Sequence, residues 1–495
     1  MTGAYVLAWV LPLVVGVAIY AAFFESTARA RRSTAVGYGA LFGFLLAAAV
    51  TSIVSRSDTA HAWRTAAPWL VAAAVIAIAR WWLRRRGSVT GHSISAEGAE
   101  GTQGEGVRTR WQWWLMGALL ATLVARALII VREIWLRPLY PWDAWSAWAI
   151  EPKTWMLLGH YVPFGSIHDW AAAPATLDMR TFSAWFYPDA LPWLDVWFAS
   201  AAGGWIEPLV NMPWVGAWIG LLFGHYGQWR TLGLSRWRAL LAVYVLASLP
   251  LLTVHAAVAG YADLWVAALF GFALLAWMRW LQGRDRRQLA LALVCATALP
   301  FIKLEGWVWA AALLLSMGFG ALSPRWRLRG LAATVVAIAI LFAGGTHALF
   351  VTIGWVDANG EVLLERAGPF ALLTTFSWHG DALMGAVNAF FALPNWHLFW
   401  WILPFVVIWR WRELVAREWL RLPALLLLAC FGALMFLFLA TAAADWAQSF
   451  TAINRLVLQL TPAVCSLAAL LLRDAMLPAT ANDTDRQPAA RSDPA

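Results

Sequence analysis

The sequence is poor in charge, in cysteine and above all in lysine. Charged residues fill only 13% of its 495 positions, whereas soluble domains contain about 25%. Its three cysteines, Cys295, Cys430 and Cys465, all lie in apolar runs without metal-ligand spacing, so we predict no disulfide. No Gly-rich phosphate loop is present. This absence argues against an ATP-driven motor or a soluble nucleotide-sugar domain.

Apolar residues are abundant instead, at 62% of the chain. Runs of about 20 apolar residues, each long enough to span a bilayer, recur along nearly its whole length. We predict an all-α polytopic membrane protein with about 13 transmembrane helices, a helical outer loop and interfacial helices. The predicted spans lie near residues 5–24, 35–54, 66–83, 113–133, 209–224, 239–258, 262–281, 289–302, 307–322, 330–354, 384–408, 422–441 and 455–473.

Basic residues predict how the chain is oriented. They cluster in alternate loops, and the positive-inside rule places those loops in the cytoplasm. The clusters are Arg29, Arg31 and Arg32; Arg80 and Arg84 to Arg86; Arg230, Arg236 and Arg238; Arg284, Arg286 and Arg287; Arg325, Arg327 and Arg329; Arg410, Arg412, Arg417 and Arg421; and Arg473. The N-terminus is then outside and the C-terminus cytoplasmic. The net charge of +9 indicates contact with anionic membrane lipids rather than with nucleic acid.

The segment 191–205 is also apolar, but counting it as a span breaks this alternation. We therefore predict a helix that lies in or dips into the membrane interface. The pattern divides the chain into an N-terminal three-helix membrane extension (1–86), a flexible cytoplasmic loop (87–110), a membrane core (111–473) with an outer loop (134–190), and a disordered cytoplasmic tail (474–495).

The outer face carries the unusual charges. The chain has 34 arginines but only two lysines, Lys153 and Lys303, each close to an acid, Glu151 or Glu305. Charges at a membrane boundary usually have a partner or a task, although two lysines can share a side by chance. The outer loop also holds seven tryptophans, which either anchor the chain at the interface or stack on a sugar or a lipid-linked donor. They are Trp135, Trp142, Trp145, Trp148, Trp155, Trp170 and Trp185.

Five short motifs on this face resemble the GT-C superfamily of integral membrane glycosyltransferases. In order, they are Pro141-Trp142-Asp143, the run from Phe186 to Pro192, Gly260-Tyr261-Ala262-Asp263, Lys303-Leu304-Glu305-Gly306, and Arg455 before the final span. The resemblance covers about residues 113–473. Protein O-mannosyltransferases and lipid A aminoarabinose transferases belong to this superfamily. It implies a polyprenyl-phosphate sugar donor, an active site on the periplasmic side and a bacterial inner-membrane location.

Such a transfer needs a base for the acceptor hydroxyl and cations for the leaving phosphate. The resemblance makes Asp143 the candidate base, and Lys303 and Arg455 the candidate phosphate-binding residues. Substrate-orienting roles are expected for a second group: Asp263, Glu305, Glu151, Lys153, Asp189 and Tyr187. Structural alternatives are that Asp143 or Asp263 caps a helix and that Lys303 only forms an ion pair. The sugar and the acceptor, whether glycan, lipid or protein, stay open.

No metal site is predicted, because His160, His168 and His379 do not have the spacing of a metal motif. Nor is a cofactor required, although Mg²⁺ or Mn²⁺ shared by Asp143 and the donor phosphate is left open. Two other function classes fit the composition. One is a transporter or flippase of a lipid-linked glycan, which should show internal repeats or paired broken helices. The other is a non-catalytic envelope assembly subunit, in which the outer charges are salt bridges without a cavity.

Overall fold

The protein is almost entirely helical. The structure, a computed structural model, describes residues 3–25, 30–89, 110–137, 139, 141–330, 332, 336, 378–441 and 443–473. Its helices are α1 (Gly3–Phe23), α2 (Arg31–Val54), α3 (Ala62–Val89), α4 (Arg110–Leu136), α5 (Ile150–Leu158), α6 (Ile167–Ala172), α7 (Ala190–Ala202), α8 (Glu207–Asn211), α9 (Pro213–Thr231), α10 (Arg236–Ser248), α11 (Pro250–Ala257), α12 (Asp263–Gly283), α13 (Arg286–Ala298), α14 (Glu305–Ala321), α15 (Ala382–Val387), α16 (Phe399–Trp409), α17 (Trp411–Ala416), α18 (Glu418–Ala440), α19 (Ala444–Gln448) and α20 (Ile453–Leu471).

Shorter helical turns and one pair of strands complete the described elements. Ala144–Trp148 and Asn388–Ala392 form π-helical turns, and Leu299–Phe301 forms a 3₁₀ turn. Strands β1 (Phe164–Gly165) and β2 (Arg180–Thr181) pair in parallel within the outer loop. The all-α class is therefore confirmed in the described part of the chain.

Seven described helices are long and apolar enough to cross a bilayer, namely α1, α2, α3, α4, α12, α18 and α20, and the bent pair α10–α11 makes an eighth candidate. This supports an integral membrane protein, but the finer prediction of about 13 spans is not confirmed. The predicted spans 289–302 and 307–322 correspond to α13 and α14, which have only 13 and 17 residues. Pro300 lies between them, and proline cannot donate the helical hydrogen bond. Helix α9, near the predicted span 209–224, is not among the seven.

Successive long helices run in opposite directions, so the two ends of the bundle carry different residues. At one end, here called the arginine end, Arg284 and Arg327 both pair with Glu418, at 3.0 and 3.1 Å. Helices α12 and α20 begin at the opposite end, here called the Asp263 end, with Asp263 and Arg455 in their first turns. The predicted loop charges thus separate between the two ends. Which end faces the cytoplasm stays a prediction.

Two of the predicted membrane spans are interrupted in the structure, and the two interruptions are in contact with each other. Helices α10 and α11 are bent by 68° at Pro250. The predicted span 384–408 is interrupted between the second π-helical turn and α16. There the Asn395 carbonyl accepts a hydrogen bond from the Leu251 amide at 3.1 Å. His397 Nε2 donates to the Ser248 carbonyl at 3.0 Å, so side-chain and backbone groups satisfy part of the interrupted backbone.

The segment 191–205 forms the short helix α7, which is enclosed by protein. All of residues 191–201 are buried, and the helix packs against α1, α2, α3 and α5. Its 13 residues extend about 20 Å, too little for a full span. It ends at Gly203, whose φ of 89° suits a glycine C-cap. It dips among the helices at the Asp263 end, where its Trp197 indole donates to the Ala8 carbonyl at 3.0 Å.

The first three helices pack directly onto the rest of the bundle. Tyr38 of α2 donates to the carbonyl of Phe272 in α12 at 2.9 Å. A Cβ on Gly37 would lie 2.2 Å from the Gly224 amide nitrogen of α9, so only glycines allow this close approach. The domain boundary at residue 86 stays a prediction. The predicted span 330–354, residues 90–109 of the cytoplasmic loop and the tail 474–495 lie almost wholly outside the described residues.

Candidate functional site

Five candidate residues from four distant parts of the sequence meet at the Asp263 end. Arg455 pairs through Nη1 with Asp143 and through Nε with Asp263, the latter at 2.9 Å. Lys303 Nζ lies 2.8 Å from Asp263 Oδ1 and 3.2 Å from Glu305 Oε1. The order of contacts is Asp143, Arg455, Asp263, Lys303, Glu305. We call these five residues the charge chain.

The charge chain is deepest at its centre. The side chains of Asp263 and Lys303 are 0% and 3% exposed, whereas Asp143 and Glu305 are 32% and 31% exposed. Three carboxylates and two cations give a formal charge of −1. Removing charges from water is costly unless they are paired and hydrogen-bonded. The buried residues at the centre of the charge chain are therefore all paired, whereas the two residues at its ends, Asp143 and Glu305, remain accessible to solvent.

Helix geometry and two glycines bring these side chains together. Asp263 and Arg455 lie in the first turns of α12 and α20, where a helix N-terminus favours the carboxylate. Gly260 has a φ of 105°, and a Cβ there would lie 2.6 Å from the Ala144 Cβ. A Cβ on Gly306 would lie 2.1 Å from the Leu299 carbonyl oxygen. Glycine at both positions lets the loops that carry the charge chain approach closely.

Helix capping does not account for the two aspartates. The side chain of Asp143 makes no capping hydrogen bond to the π-helical turn that follows it. The N-terminus of α12 likewise has no side-chain cap. Both carboxylates are instead directed at Arg455. The ion-pair alternative for Lys303 does match the geometry, with Asp263 as well as Glu305 as its partner.

Two residues missed in the sequence form a second layer behind Asp263. Gln459 Nε2 donates to Asp263 Oδ1 at 2.6 Å, and the Trp309 indole donates to Gln459 Oε1 at 2.5 Å. Gln459 follows Arg455 by four positions on α20, so both side chains lie on one helix face. That spacing was the only signal available. An uncharged residue in an apolar run does not otherwise attract attention.

His255 of α11 was also missed and borders the charge chain. Its Nδ1 donates to the Leu251 carbonyl at 3.1 Å, as expected for a fixed tautomer. Its ring lies 5.4 Å from that of Tyr261, and it interacts electrostatically with Asp263, Arg455 and Lys303. Its Nε2 is buried and has no hydrogen-bond partner among the described residues.

A similar orphan acceptor occurs on Glu305. One carboxylate oxygen binds Lys303, whereas Oε2 is buried without a hydrogen-bond partner in the described part of the chain. A buried carboxylate oxygen is costly to leave unsatisfied. A ligand hydroxyl that donated a hydrogen bond to either acceptor, on Glu305 or on His255, would satisfy it.

Aromatic rings shape the accessible side. The guanidinium of Arg455 lies over the Tyr261 ring, 4.3 Å from its centroid, a cation–π contact. Trp148 stacks on Tyr187 with 5.0 Å between ring centroids and 6° between planes. Burial raises the pKa of Tyr187, and the charges of Lys303 and Arg455 oppose this effect. These electrostatic interactions place Tyr187 near the charge chain, and its substrate-orienting role stays a prediction.

Exposure separates five of the seven outer-loop tryptophans into two kinds. Trp135, Trp142 and Trp170 are 53%, 67% and 46% exposed, as expected of interface anchors. Trp148 and Trp155 are buried, at 3% and 1% exposure. Their rings pack against other side chains, and stacking of an outer-loop tryptophan on a sugar or a lipid-linked donor stays a prediction.

Glu151 and Asp189 are two further acidic residues of the outer loop, which interact electrostatically with each other and with Tyr161. Glu151 is 7% exposed, and burial, reinforced by the negative charge of Asp189, raises its pKa from 4.5 to about 8. Asp189 Oδ2 accepts a hydrogen bond from the Trp193 indole at 3.0 Å. A pKa of about 8 leaves Glu151 mostly protonated at neutral pH, so this carboxyl can hold or donate a proton.

Lys153 is not a partner of the charge chain. It pairs with Glu207 at 3.6 Å, and both residues line a separate cavity of about 270 Å³ together with Trp145 and Leu157. Glu151, only two positions earlier, lies on the buried face of α5. The two lysines thus share an end of the bundle but do not share a site.

No group of three histidine, cysteine or acidic side chains suited to a metal ion is found in the described residues. None of three cavities found in the structure, of about 440, 270 and 10 Å³, is lined by a member of the charge chain. In this conformation the group is closed by its own ion pairs. Binding of a donor phosphate would require at least one pair to exchange.

No protein-family model, curated protein or solved structure matches this chain.

Proposed function

We propose that this protein is a membrane glycosyltransferase that moves a sugar from a polyprenyl-phosphate-type donor to an acceptor outside the membrane. The observation that carries the proposal is the double contact of Arg455 with Asp143 and Asp263. It joins the accessible carboxylate of Asp143 to the buried pair of Asp263 and Lys303 at one end of the helical bundle. Charges in such a position usually serve a function. The inner-membrane location, with the N-terminus outside, belongs to the same proposal.

The chemistry assigns a different task to each end of the charge chain. Asp143, at the exposed end, takes the proton of the acceptor hydroxyl as its oxygen attacks the anomeric carbon. The bond from that carbon to the phosphate oxygen breaks, and the electron pair leaves with the phosphate. Lys303 and Arg455 stabilise the negative charge that develops there. Asp263 and Gln459 hold the two cations in place.

The donor phosphate can bind if it replaces one partner of an existing ion pair. When Arg455 turns from Asp143 to the donor phosphate, it keeps its Nε contact with Asp263, which is fully buried. Asp143 is then released as a free base at the moment the donor is bound. The fork of the guanidinium suits this exchange, because it can contact a carboxylate and a phosphate together.

A complementation experiment tests the proposal. Envelope glycans and glycolipids from a deletion strain are compared by mass spectrometry with those from strains carrying wild type, Asp143→Asn or Asp178→Asn. Asp178 is a control acid of the same outer loop, 47% exposed and paired with Arg180 at 2.9 Å. We expect one sugar-bearing product to disappear in the deletion, return with wild type and Asp178→Asn, and stay absent with Asp143→Asn. Equal product from a well-expressed Asp143→Asn protein would overturn the assignment of the base.

The flippase alternative is favoured by the two touching breaks, at Pro250 and near Asn395, because broken helices are typical of transporters. Loss of each function would leave the lipid-linked sugar on a different leaflet of the membrane. Loss of a transferase leaves it accessible on the outer leaflet, whereas loss of a flippase leaves it on the inner one. A leaflet-specific lectin or periodate assay on vesicles from the deletion strain distinguishes them.

The assembly-subunit alternative is favoured by the completeness of the ion pairs and by the position of the cavities away from them. It predicts that an Asp143 variant loses the product only where it also fails to assemble, because only folding would depend on the residue. A transferase loses its product even where Asp143→Asn remains fully assembled in the membrane. Blue-native electrophoresis of solubilised membranes reports that assembly.

A further inference from the structure

The largest of the three cavities lies away from the charge chain, between α10, α16 and α20. Its volume is about 440 Å³, within the range of about 300–1,000 Å³ usual for ligand pockets. Val245, Ile402 and Ala469 represent its three walls, which are almost wholly apolar. None of its described lining residues is acidic.

The two ends of this cavity differ in chemistry. One end is formed by the touching breaks, where Ser248, Trp396 and His397 line it. Arg238 and Arg473 line the other, which is the arginine end of the bundle. Backbone contacts fix these arginines: Arg238 donates to the Arg473 carbonyl at 2.9 Å, and Arg473 donates to the Leu232 carbonyl at 3.0 Å.

The cavity is accessible from the side. Val245 of α10 is 42% exposed, and Leu398 and Ile402 are 63% and 52% exposed. These side chains form the rim between α10 and α16. In a membrane this rim faces lipid tails, because the helices on both sides of it belong to membrane passages.

The dimensions match one leaflet of a bilayer. Helix α10 has 13 residues and therefore extends about 20 Å, compared with about 15 Å for half of a hydrocarbon core. An acyl chain that follows α10 would end near the breaks, and its head group would lie at the level of Arg238 and Arg473. Basic residues at that level attract anionic lipid head groups.

We infer that this cavity binds one acyl chain of an anionic phospholipid, with its phosphate held by Arg238 and Arg473. The site is independent of the proposed transferase activity, because it involves none of the charge chain. The occupant belongs to the leaflet at the arginine end. It would fill the space between the two broken passages and hold α10 and α16 at a fixed separation.

The experiment uses the full-length protein, purified in a neutral detergent, and a phosphatidylglycerol probe with a photoactivatable acyl chain. Cross-linked peptides are mapped by mass spectrometry. Unlabelled phosphatidylglycerol or phosphatidylcholine with the same acyl chains serves as competitor. We expect cross-links within 241–249, 396–406 and 465–473, and stronger competition by phosphatidylglycerol.

Variants separate the head group from the chain. Arg238→Gln and Arg473→Gln should each weaken binding of the probe roughly fivefold, the factor to which about 1 kcal/mol per basic residue converts. Arg286→Gln, an exposed arginine at the same end, is the matched control and should have no effect. Ala469→Phe should block the probe whatever its head group. Ala433→Phe, on an exposed position of α18, should not.

Three outcomes would overturn the inference. They are equal competition by the two lipids, unchanged cross-linking of a folded Ala469→Phe protein, and cross-links between protein chains at these segments in place of lipid adducts. The last would indicate that a second copy fills the cavity. Thermal unfolding of each variant shows whether it is folded, and Arg238→Lys, which keeps the charge, should retain most of the binding.

Discussion

Lys303 Nζ lies 2.8 Å from Asp263 Oδ1, and both side chains are almost completely removed from solvent. Breaking such a buried pair costs roughly 3–5 kcal/mol, because an uncompensated charge is left behind. Asp263 has three partners, Lys303, Arg455 and Gln459, whereas Lys303 has two acids. The stability of the bundle should therefore depend more on the acid than on the base.

The first prediction concerns that ranking. Asp263→Asn should lower the thermal unfolding midpoint in detergent more than Lys303→Met does, because it leaves two cations without their shared partner. Exposed pairs contribute about 0–1 kcal/mol, so Asp178→Asn, in the exposed pair with Arg180, should be almost silent. A larger loss for Lys303→Met than for Asp263→Asn would show that Asp263 is not the centre of the group.

A second prediction addresses the guanidinium fork. Arg455→Lys keeps the positive charge but cannot contact Asp143 and Asp263 in the same planar arrangement. Misplacement by about 1 Å can cost 10²-fold in rate, so the initial rate of product formation in membranes of the complemented strain should fall by about that factor. The protein level should stay normal. Arg180→Lys in the outer loop is the control, and full activity of Arg455→Lys would indicate that charge alone is needed.

Gly260 provides a third test, on the backbone. Gly260→Ala places a side chain on a φ of 105° and against Ala144, next to Asp143. Gly159→Ala meets the same kind of strain at a φ of 77° with nothing within 4 Å. Backbone strain costs about 1–3 kcal/mol, and overpacking adds about 1–3 kcal/mol at Gly260 only. Chemical unfolding should show the larger loss for Gly260→Ala. Equal losses of stability in the two variants would mean that the loop carrying Asp143 moves aside without an energetic cost.

The fourth prediction is a pH dependence caused by Glu151. Its pKa rises from 4.5 to about 8 on folding, so the folded state binds a proton that the unfolded state has lost. Stability from this group is complete below pH 4.5 and is lost as the pH rises through about 8. The slope between these values is at most about 1.4 kcal/mol per pH unit. Glu151→Gln is neutral at every pH, so it should flatten the plot of unfolding free energy against pH between these two values. An unchanged slope would show that another group causes it.

Topology was the strongest information in the sequence. Alternating arginine clusters were sufficient to expect Asp143, Asp263, Lys303 and Arg455 at one end, and the structure brings these residues into contact. Their chemical roles stay predictions. Contact distances, by contrast, depend on which helices are neighbours, which hydropathy does not reveal.

The misses have the same physical origin. Gln459 and His255 are uncharged residues within apolar runs, and only the packing of α11 and α20 around α12 makes them neighbours of Asp263. Lys153 was linked to Glu151 by sequence adjacency, although side chains two positions apart on a helix point in different directions. The number of spans stays unconfirmed, because an apolar run does not reveal a proline break within it and because 330–354 lies almost wholly outside the described residues.

The scarcity of lysine gives the protein a built-in chemical reporter. An amine-reactive, membrane-impermeant reagent can modify only two lysine side chains. Lys153 is 49% exposed and should react at once, whereas Lys303, at 3% exposure, should react only while its ion pairs are open. The ratio of the two modification rates therefore measures how often the charge chain opens. The measurement needs neither a mutation nor a known substrate.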